Sequence, residues 1–211
     1  MNDPGVLVIG AGGHAKVVIA TLQAAGRVVR AAFDDDAARH GGCVLGVPIA
    51  GPVDAAQNYR GLEALVAIGD NRTRRAMVER LSLRWATAIH PQAVVHASAR
   101  LGPGTVVFAG AVIQPDACIG AHVIVNTAAT VDHDCSVGDF SHLAPGAHLG
   151  GNVSVGRGVF LGIGAVVLPN LALGDAAVAG GGAVVVGDVA ASVVVAGVPA
   201  RLLGPARGGI R

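Results

Sequence analysis

From Val95 onward every sixth residue of the chain is aliphatic. The series runs Val95, Leu101, Val107, Ile113, Ile119, Val125, Val131, Val137, Leu143, Leu149, Val155, Leu161, Val167, Leu173, Ala179 and Val185. It contains 15 Leu, Ile or Val residues in 16 successive positions, without an insertion. The residue that follows is glycine in eight of the 16, from Gly102 to Gly180, and the fifth residue of a hexad is usually small or β-branched, as at Ala111, Ala117, Ala129, Cys135, Val153 and Ala183. A strict six-residue period does not suit a sandwich, whose strands alternate and whose turn signals fall every ~8–12 residues. It fits a coil in which each hexad gives one short strand and one turn, and three hexads close a triangle. The aliphatic residue then points into the prism with the small one packed beside it. The glycines are expected at backbone angles that other residues avoid. Coils stack ~4.8 Å apart through ladder hydrogen bonds, so residues eighteen apart lie one above the other. The fold expected for this half is a left-handed parallel β-helix.

The first half has a different grammar. Val6 to Gly10 reads as a buried strand that runs into Gly10-Ala-Gly-Gly-His-Ala15 and a helix over Lys16 to Ala25. Val28 to Phe33 reads as a second strand ending at Asp34-Asp35-Asp36. Leu65 to Ile68 reads as another, followed by Gly69-Asp70-Asn71 and a helix carrying Arg74, Arg75, Glu79 and Arg80. Ala86 to Ile89 reads as a last strand. Strands alternating with helices, opened by a glycine-rich turn, predict a small parallel α/β (Rossmann-like) domain. The expected division is an α/β domain over 1–90, a β-helix over 91–200 and a tail over 201–211.

Composition narrows the function. The net charge is +1, charged residues make up 14% and aromatic residues 3%. A nucleic-acid binder shows a cationic face and often stacking aromatics, so none is expected. Cys43, Cys118 and Cys135 form no CxxC pair and suit a reducing compartment, so the expected location is cytoplasmic. The near-continuous Ala, Val and Gly run from Ala176 to Ala200 is split by Asp188 into charge-free runs of twelve residues. These fall short of the ~18 that a membrane span needs. His122, His133, His142 and His148 include no pair eighteen residues apart, so none stacks on a neighbouring coil and no metal site is expected.

His133 is the best candidate base. It occupies the third position of its hexad, near a corner, between Asp132 and Asp134, either of which can orient an imidazole. The plainer alternative is a solvated corner histidine bonded to a neighbouring carboxylate. Gly151 lies eighteen residues on, one coil beyond His133. In the α/β half, Gly10-Ala-Gly-Gly-His can offer backbone N–H groups to a phosphate at a helix start. Asp34, 24 residues after Gly10, stands where NAD enzymes carry a ribose-binding acid, but Ala15 holds the place of the third glycine. A turn without a ligand is the plainer alternative there.

The chain resembles the bacterial hexapeptide-repeat sugar acyltransferases with an N-terminal nucleotide-sugar-binding domain, which include the bacillosamine and perosamine N-acetyltransferases and the sialic-acid O-acetyltransferases. The resemblance covers nearly the whole chain. It is carried by Gly10-Ala-Gly-Gly-His-Ala-Lys-Val-Val18, Phe33-Asp-Asp35, Ile68-Gly-Asp-Asn71, Asn126-Thr-Ala-Ala-Thr-Val-Asp-His-Asp-Cys135, Gly138-Asp-Phe-Ser-His-Leu-Ala-Pro-Gly146 and Gly197-Val-Pro-Ala-Arg201.

The resemblance implies acetyl-CoA as co-substrate and no metal. It implies His133 as general base oriented by Asp134, and His142, Gly151, Ile163, Gly181 and Arg201 as acetyl-CoA contacts. His142 would touch the thioester region, and the Gly151 amide would donate to the carbonyl oxygen. Gly12, Gly13, His14, Asp34, Asp35 and Asn71 would hold a nucleotide-linked amino sugar. It also implies a homotrimer with active sites at subunit boundaries. The expected reaction is N-acetylation of a nucleotide-linked 4-amino-4,6-dideoxyhexose. O-acetylation of a sugar and a non-catalytic trimeric scaffold are the competing readings.

Overall fold

The computed structural model describes residues 5–206. The first part contains β1 (Val6–Ile9), α1 (Gly13–Ala24), β2 (Val29–Phe33), β3 (Cys43–Val44), β4 (Val47–Gly51), β5 (Glu63–Val66), α2 (Asn71–Arg80) and β6 (Arg84–Trp85). The strands form one sheet in the order β3-β4-β2-β1-β5-β6. It is parallel except for the β3–β4 hairpin. All four residues of β1 are fully buried, which is why Val-Leu-Val-Ile reads as an unbroken apolar run: both faces of a central parallel strand are covered. Ala15, Val18, Ile19 and Leu22 of α1 cover one face. Val53, Ala56 and Leu81 cover the other. The turn after β1 depends on Gly10, whose φ of +103° is left-handed and whose β-carbon would sit 3.1 Å from the Ala67 carbonyl oxygen.

The second part is a triangular prism of two-residue rungs, each paired in parallel with the rung eighteen residues on. Face I holds the rungs from Ala88–Ile89 through Val106–Val107, Ile124–Val125, His142–Leu143 and Phe160–Leu161 to Val178–Ala179. It is extended by Val193–Ala196 and an antiparallel return over Arg201–Pro205. Face II runs from Val94–Val95 to Val184–Val185, and face III from Arg100–Leu101 to Ala172–Leu173. The aliphatic series fills the interior together with the small fifth residues.

Two expectations are corrected. Ala88–Ile89 is not the last strand of the α/β sheet, a place taken by Arg84–Trp85. It pairs with Val106–Val107 as the first rung of face I, because the six-residue phase extends one step back from Val95 to Ile89. The glycines that follow the aliphatic residue do not adopt left-handed angles. They are glycines because the next coil passes too close: a β-carbon on Gly102 or Gly138 would lie 2.6 Å from backbone atoms one coil on. The left-handed corner comes two residues later. Gly104, Gly110, Gly146 and Gly158 fill it in some coils, but Asp116, His122, Ala128, Asp134, Phe140, Asn152 and Asn170 fill it in others, at φ between 54° and 63°.

The two parts share a core. Outward residues Ala88, Val106 and Ile124 of face I, with Phe108, are buried in the same cluster as Ala15, Val18 and Leu22 of α1. Further along face I the outward positions become His142, Phe160 and Val178. There a cleft of about 680 Å³ opens, lined by Asp70, Asn71 and Arg75 on one side and by His142, Phe160 and Val178 on the other.

Candidate active site

The corner between faces II and III carries the first cluster. His133 donates from its own backbone N–H to the Asp132 carboxylate at 2.8 Å. Its ring Nδ1 lies 2.8 Å from Asp134 Oδ2. Of the two flanking acids, then, Asp134 orients the ring and Asp132 fastens the backbone. Asp134 does so from the left-handed corner slot, at φ +59°. With Nδ1–H donated to the carboxylate, the lone pair resides on Nε2. The hydrogen bond to Asp134, then the charge of Asp132, raises the imidazole above its ordinary pKa. Nε2 faces the next coil, where a β-carbon on Gly151 would stand 2.6 Å away. The Asn152 N–H donates to the His133 carbonyl at 2.9 Å, which fixes the two coils in register. Among the described residues no protein group accepts from the Gly151 N–H.

The second cluster lies where the α/β domain meets face I. His142 is buried, with Nδ1 at 3.1 Å from the Gly69 carbonyl and Nε2 at 3.0 Å from Asn126 Nδ2. Asn126 Oδ1 accepts from the Thr127 N–H at 2.8 Å, so its NH₂ group faces the imidazole. His14 lies beside it at 6.1 Å between ring centroids, packed edge-on against Phe108, with Nε2 buried and unpartnered. Burial, then the charge of Arg74, pushes His14 down to about 4 and His142 down to about 3. Both rings are neutral at physiological pH.

His142 and Gly151 do not sit together on His133. Gly151 does, but His142 projects from face I while His133 stands on the II–III corner. The nine-residue spacing is half a coil, which carries the second histidine to another side of the prism. Ile163, 67% exposed, lies on the I–II corner. Gly181 follows one coil on, with the Gly182 N–H donating to the Ile163 carbonyl at 2.8 Å. Arg201 begins the returning strand and its guanidinium donates to its neighbour's carbonyl, that of Ala200.

The sugar-side residues divide in the same way. Gly12 and Gly13 open α1 with nothing near their Cα positions on the side where a β-carbon would point, and no acidic residue occupies the first turn. Asp34 is drawn back onto that turn, accepting from the Ala11 N–H at 2.7 Å and the Asp36 N–H at 2.9 Å. Asp35 pairs with Arg80 and accepts from the Val53 N–H. Asn71 is a clasp between the two domains: its amide donates to the Gly158 and Val159 carbonyls, both at 3.1 Å. Its side-chain oxygen accepts from Arg74 at 2.8 Å, so in this structure it is committed to protein groups.

Asn126 and Arg74 were not singled out from the sequence. Asn126 heads the segment that contains His133, and its position next to a corner was the available signal. Arg74 carries no such mark beside Arg75, Glu79 and Arg80.

Comparison with known proteins gives these residues a family. A domain family described as the PglD N-terminal domain matches residues 5–81. The UDP-N-acetylbacillosamine N-acetyltransferase of Bacillus subtilis is 40% identical over 113 residues, 49% of this chain and 51% of that protein. The match thus spans about half the length of that curated relative. Among solved structures, a perosamine N-acetyltransferase variant from Caulobacter crescentus in complex with CoA and GDP-perosamine superposes with a TM-score of 0.90 at 45% identity. It covers 96% of this chain and 98% of that one. The acetyltransferase domain of PglB from Neisseria gonorrhoeae, in complex with acetyl coenzyme A, gives 0.89 at 41% identity, covering 96% and 100%. The chain belongs to the hexapeptide-repeat, left-handed β-helix sugar acyltransferases of the perosamine and bacillosamine N-acetyltransferase type.

Proposed function

We propose that the protein moves an acetyl group from acetyl-CoA to the amine of a nucleotide-linked 4-amino-4,6-dideoxyhexose. The observation that carries this reading is His133 Nε2, left with its lone pair by the Asp134 hydrogen bond and turned toward Gly151 one coil on, whose N–H has no protein acceptor among the described residues. The sugar amine attacks the thioester carbonyl carbon, forming the C–N bond, while Nε2 takes a proton from the nitrogen. The Gly151 N–H donates to the oxyanion. Collapse breaks the C–S bond, and the imidazolium returns its proton to the departing sulfur. Asp134 holds the ring and balances its charge in between, and such a base contributes ~10²–10⁴-fold. The solved relatives that carry CoA and GDP-perosamine, and the N-acetyltransferase named in Bacillus subtilis, favour an amine acceptor over a hydroxyl.

The site is completed between copies. The II–III corner holds the base, and face I with the I–II corner holds His142, Ile163 and Gly181. Face II lies between them and presents Val94, 63% exposed, with Leu168 and Val186 at its edge. A closed three-fold ring that buries face II sets the II–III corner of one subunit against the I–II corner of the next.

The test is thiol release from acetyl-CoA with UDP-, GDP- and dTDP-linked 4-amino sugars, run beside His133→Ala. Turnover with one of them, lost in the variant, is expected; failure with every amine would redirect the search to hydroxyl acceptors. Mixing equal amounts of inactive His133→Ala and Gly181→Trp chains is expected to restore roughly a quarter of the activity of the whole sample, one intact site in each mixed trimer. No recovery would place the whole site in one chain.

A further inference from the structure

Arg74 lies one turn into α2, is 1% exposed and is the one buried residue of that helix. Guanidinium offers five N–H donors in a plane, and every nitrogen is engaged. Nε donates to the His122 carbonyl at 3.0 Å. Nη1 donates to the Ile68 and Gly69 carbonyls, both at 3.1 Å. Nη2 donates to Asn71 Oδ1 and the Phe140 carbonyl at 2.8 Å, with the Ser141 carbonyl at 3.4 Å. Among the described residues no carboxylate forms an ion pair with it. Burying a cation without a contacting counter-ion is costly. Neutral oxygens, with the more distant charge of Asp70, offset the cost here.

Those carbonyls bear on the second cluster. The Gly69 oxygen accepts from Arg74 and also faces His142 Nδ1. A carbonyl cannot donate, so Nδ1 must carry the proton. On the other side Asn126 presents NH₂, because its oxygen is taken by Thr127, so Nε2 must be bare. The ring has one allowed state, neutral and Nδ1-protonated, and the nearby guanidinium charge opposes a second proton.

We propose that Arg74 is a positioning residue of the acyl-transfer site: it clamps the Gly69 carbonyl and thereby holds His142 in a single tautomer and orientation. The effect on catalysis rests on the function proposed above; the clamp itself does not.

The experiment is a long-range ¹H–¹⁵N correlation spectrum of the ¹⁵N-histidine-labelled full chain without substrates, with His142 assigned from His142→Gln. The wild-type ring is expected to show a protonated Nδ1 and a bare Nε2. Arg74→Lys keeps the charge but cannot reach all these acceptors. It is expected to mix the tautomers and lower kcat about 10²-fold, with KM for acetyl-CoA changed less than about threefold. A wild-type ring protonated at Nε2 overturns the proposal without any variant. So does a folded Arg74→Lys with wild-type spectrum and kcat, which would leave Arg74 a structural clasp. If Arg74→Lys does not fold, Asn71→Ala loosens the guanidinium at one acceptor. The same mixing is expected there, and an unchanged spectrum overturns the clamp. A wild-type chain that transfers no acetyl group refutes the functional reading, while the spectrum decides the clamp separately.

Discussion

Gly151→Ala isolates the placement of the base from its chemistry. A β-carbon there would lie 2.6 Å from His133 Nε2, 2.7 Å from Cε1 and 3.3 Å from Cδ2. Ordinary contacts between such atoms are about 3.5 Å or more, so the ring must retreat by roughly 1 Å. It can do so because its side chain is 59% exposed, but only by straining the hydrogen bond to Asp134. Gly151 itself is not in the left-handed region, so alanine fits the backbone, and the loss of chain freedom in the unfolded state even favours folding slightly. Stability is therefore expected to stay within about 1 kcal/mol of wild type. A displacement of this size in a reacting group costs on the order of 10²-fold in rate. The backbone amide of the substituted residue would still donate to an oxyanion, so the loss reports the base alone. The assay is steady-state thiol release from acetyl-CoA, with thermal melting and light scattering on the same samples. Retention of kcat within about threefold, in a protein where His133→Ala is inactive, would refute the argument that this inter-coil distance sets the geometry of proton transfer.

Asp134→Asn should fold normally, because asparagine tolerates the left-handed angles of that corner, but it removes the hydrogen bond to a carboxylate that chiefly raises the His133 pKa. The base works only unprotonated, so the acidic limb of the kcat/KM profile is expected to move to lower pH; an unmoved limb would exclude Asp134 as the tuning group. His14, His122 and His142 have pKa values of about 4, 4 and 3 against 6.5 unfolded. Between about pH 6.5 and 4 the unfolded chain binds more protons than the folded one, so stability must fall as pH drops through that window. A loss on the order of 2 kcal/mol at pH 5 is expected from His14 or His142 each. Thermal melts at pH 5 and 7.5 should separate by several degrees, less so in His14→Gln; coincident melts would contradict this. Gly138→Ala would press a β-carbon to 2.6 Å from the backbone of Gly156. It should lower stability by about 1–3 kcal/mol, seen as a reduced midpoint in urea.

The prism was legible because its information is local arithmetic: one aliphatic residue per hexad and one coil per eighteen residues. The same arithmetic sets Gly151 over His133. It failed where the period is not carried by one residue type. The left-handed corners are filled by Asp134, Phe140 and Asn152 as well as by glycine, so the repeated glycines mark a different slot, the one where successive coils pass closest. It failed again where α2 packs on face I, a tertiary relation with no periodic trace. Arg74 resembled its solvated neighbours Arg75 and Arg80, yet α2 has no apolar residue that becomes fully buried. Asn71 donates to the Gly158 and Val159 carbonyls, partners 87 and 88 residues away that no local pattern specifies.

The eighteen-residue register makes this chain a ruler with fixed graduations. Removing Ser154 to Leu171 would join Val153 to Ala172 in the same phase of the repeat. Each remaining aliphatic residue would still face the interior, and His133 would still oppose Gly151. Each face would lose one rung, Gly181 would rise to the level that Ile163 now occupies, and Ala176 and Ala177 would take the places of Gly158 and Val159 opposite Asn71. Length can thus be altered in whole turns without disturbing proton transfer, while the span available to an elongated cofactor shortens by ~4.8 Å per turn. A shift of six or twelve residues would keep the inward phase but carry each rung to another face, and any shift that is not a multiple of six would turn the inward residues outward. Proton transfer and cofactor reach are in this sense separate adjustments on one repeating thread.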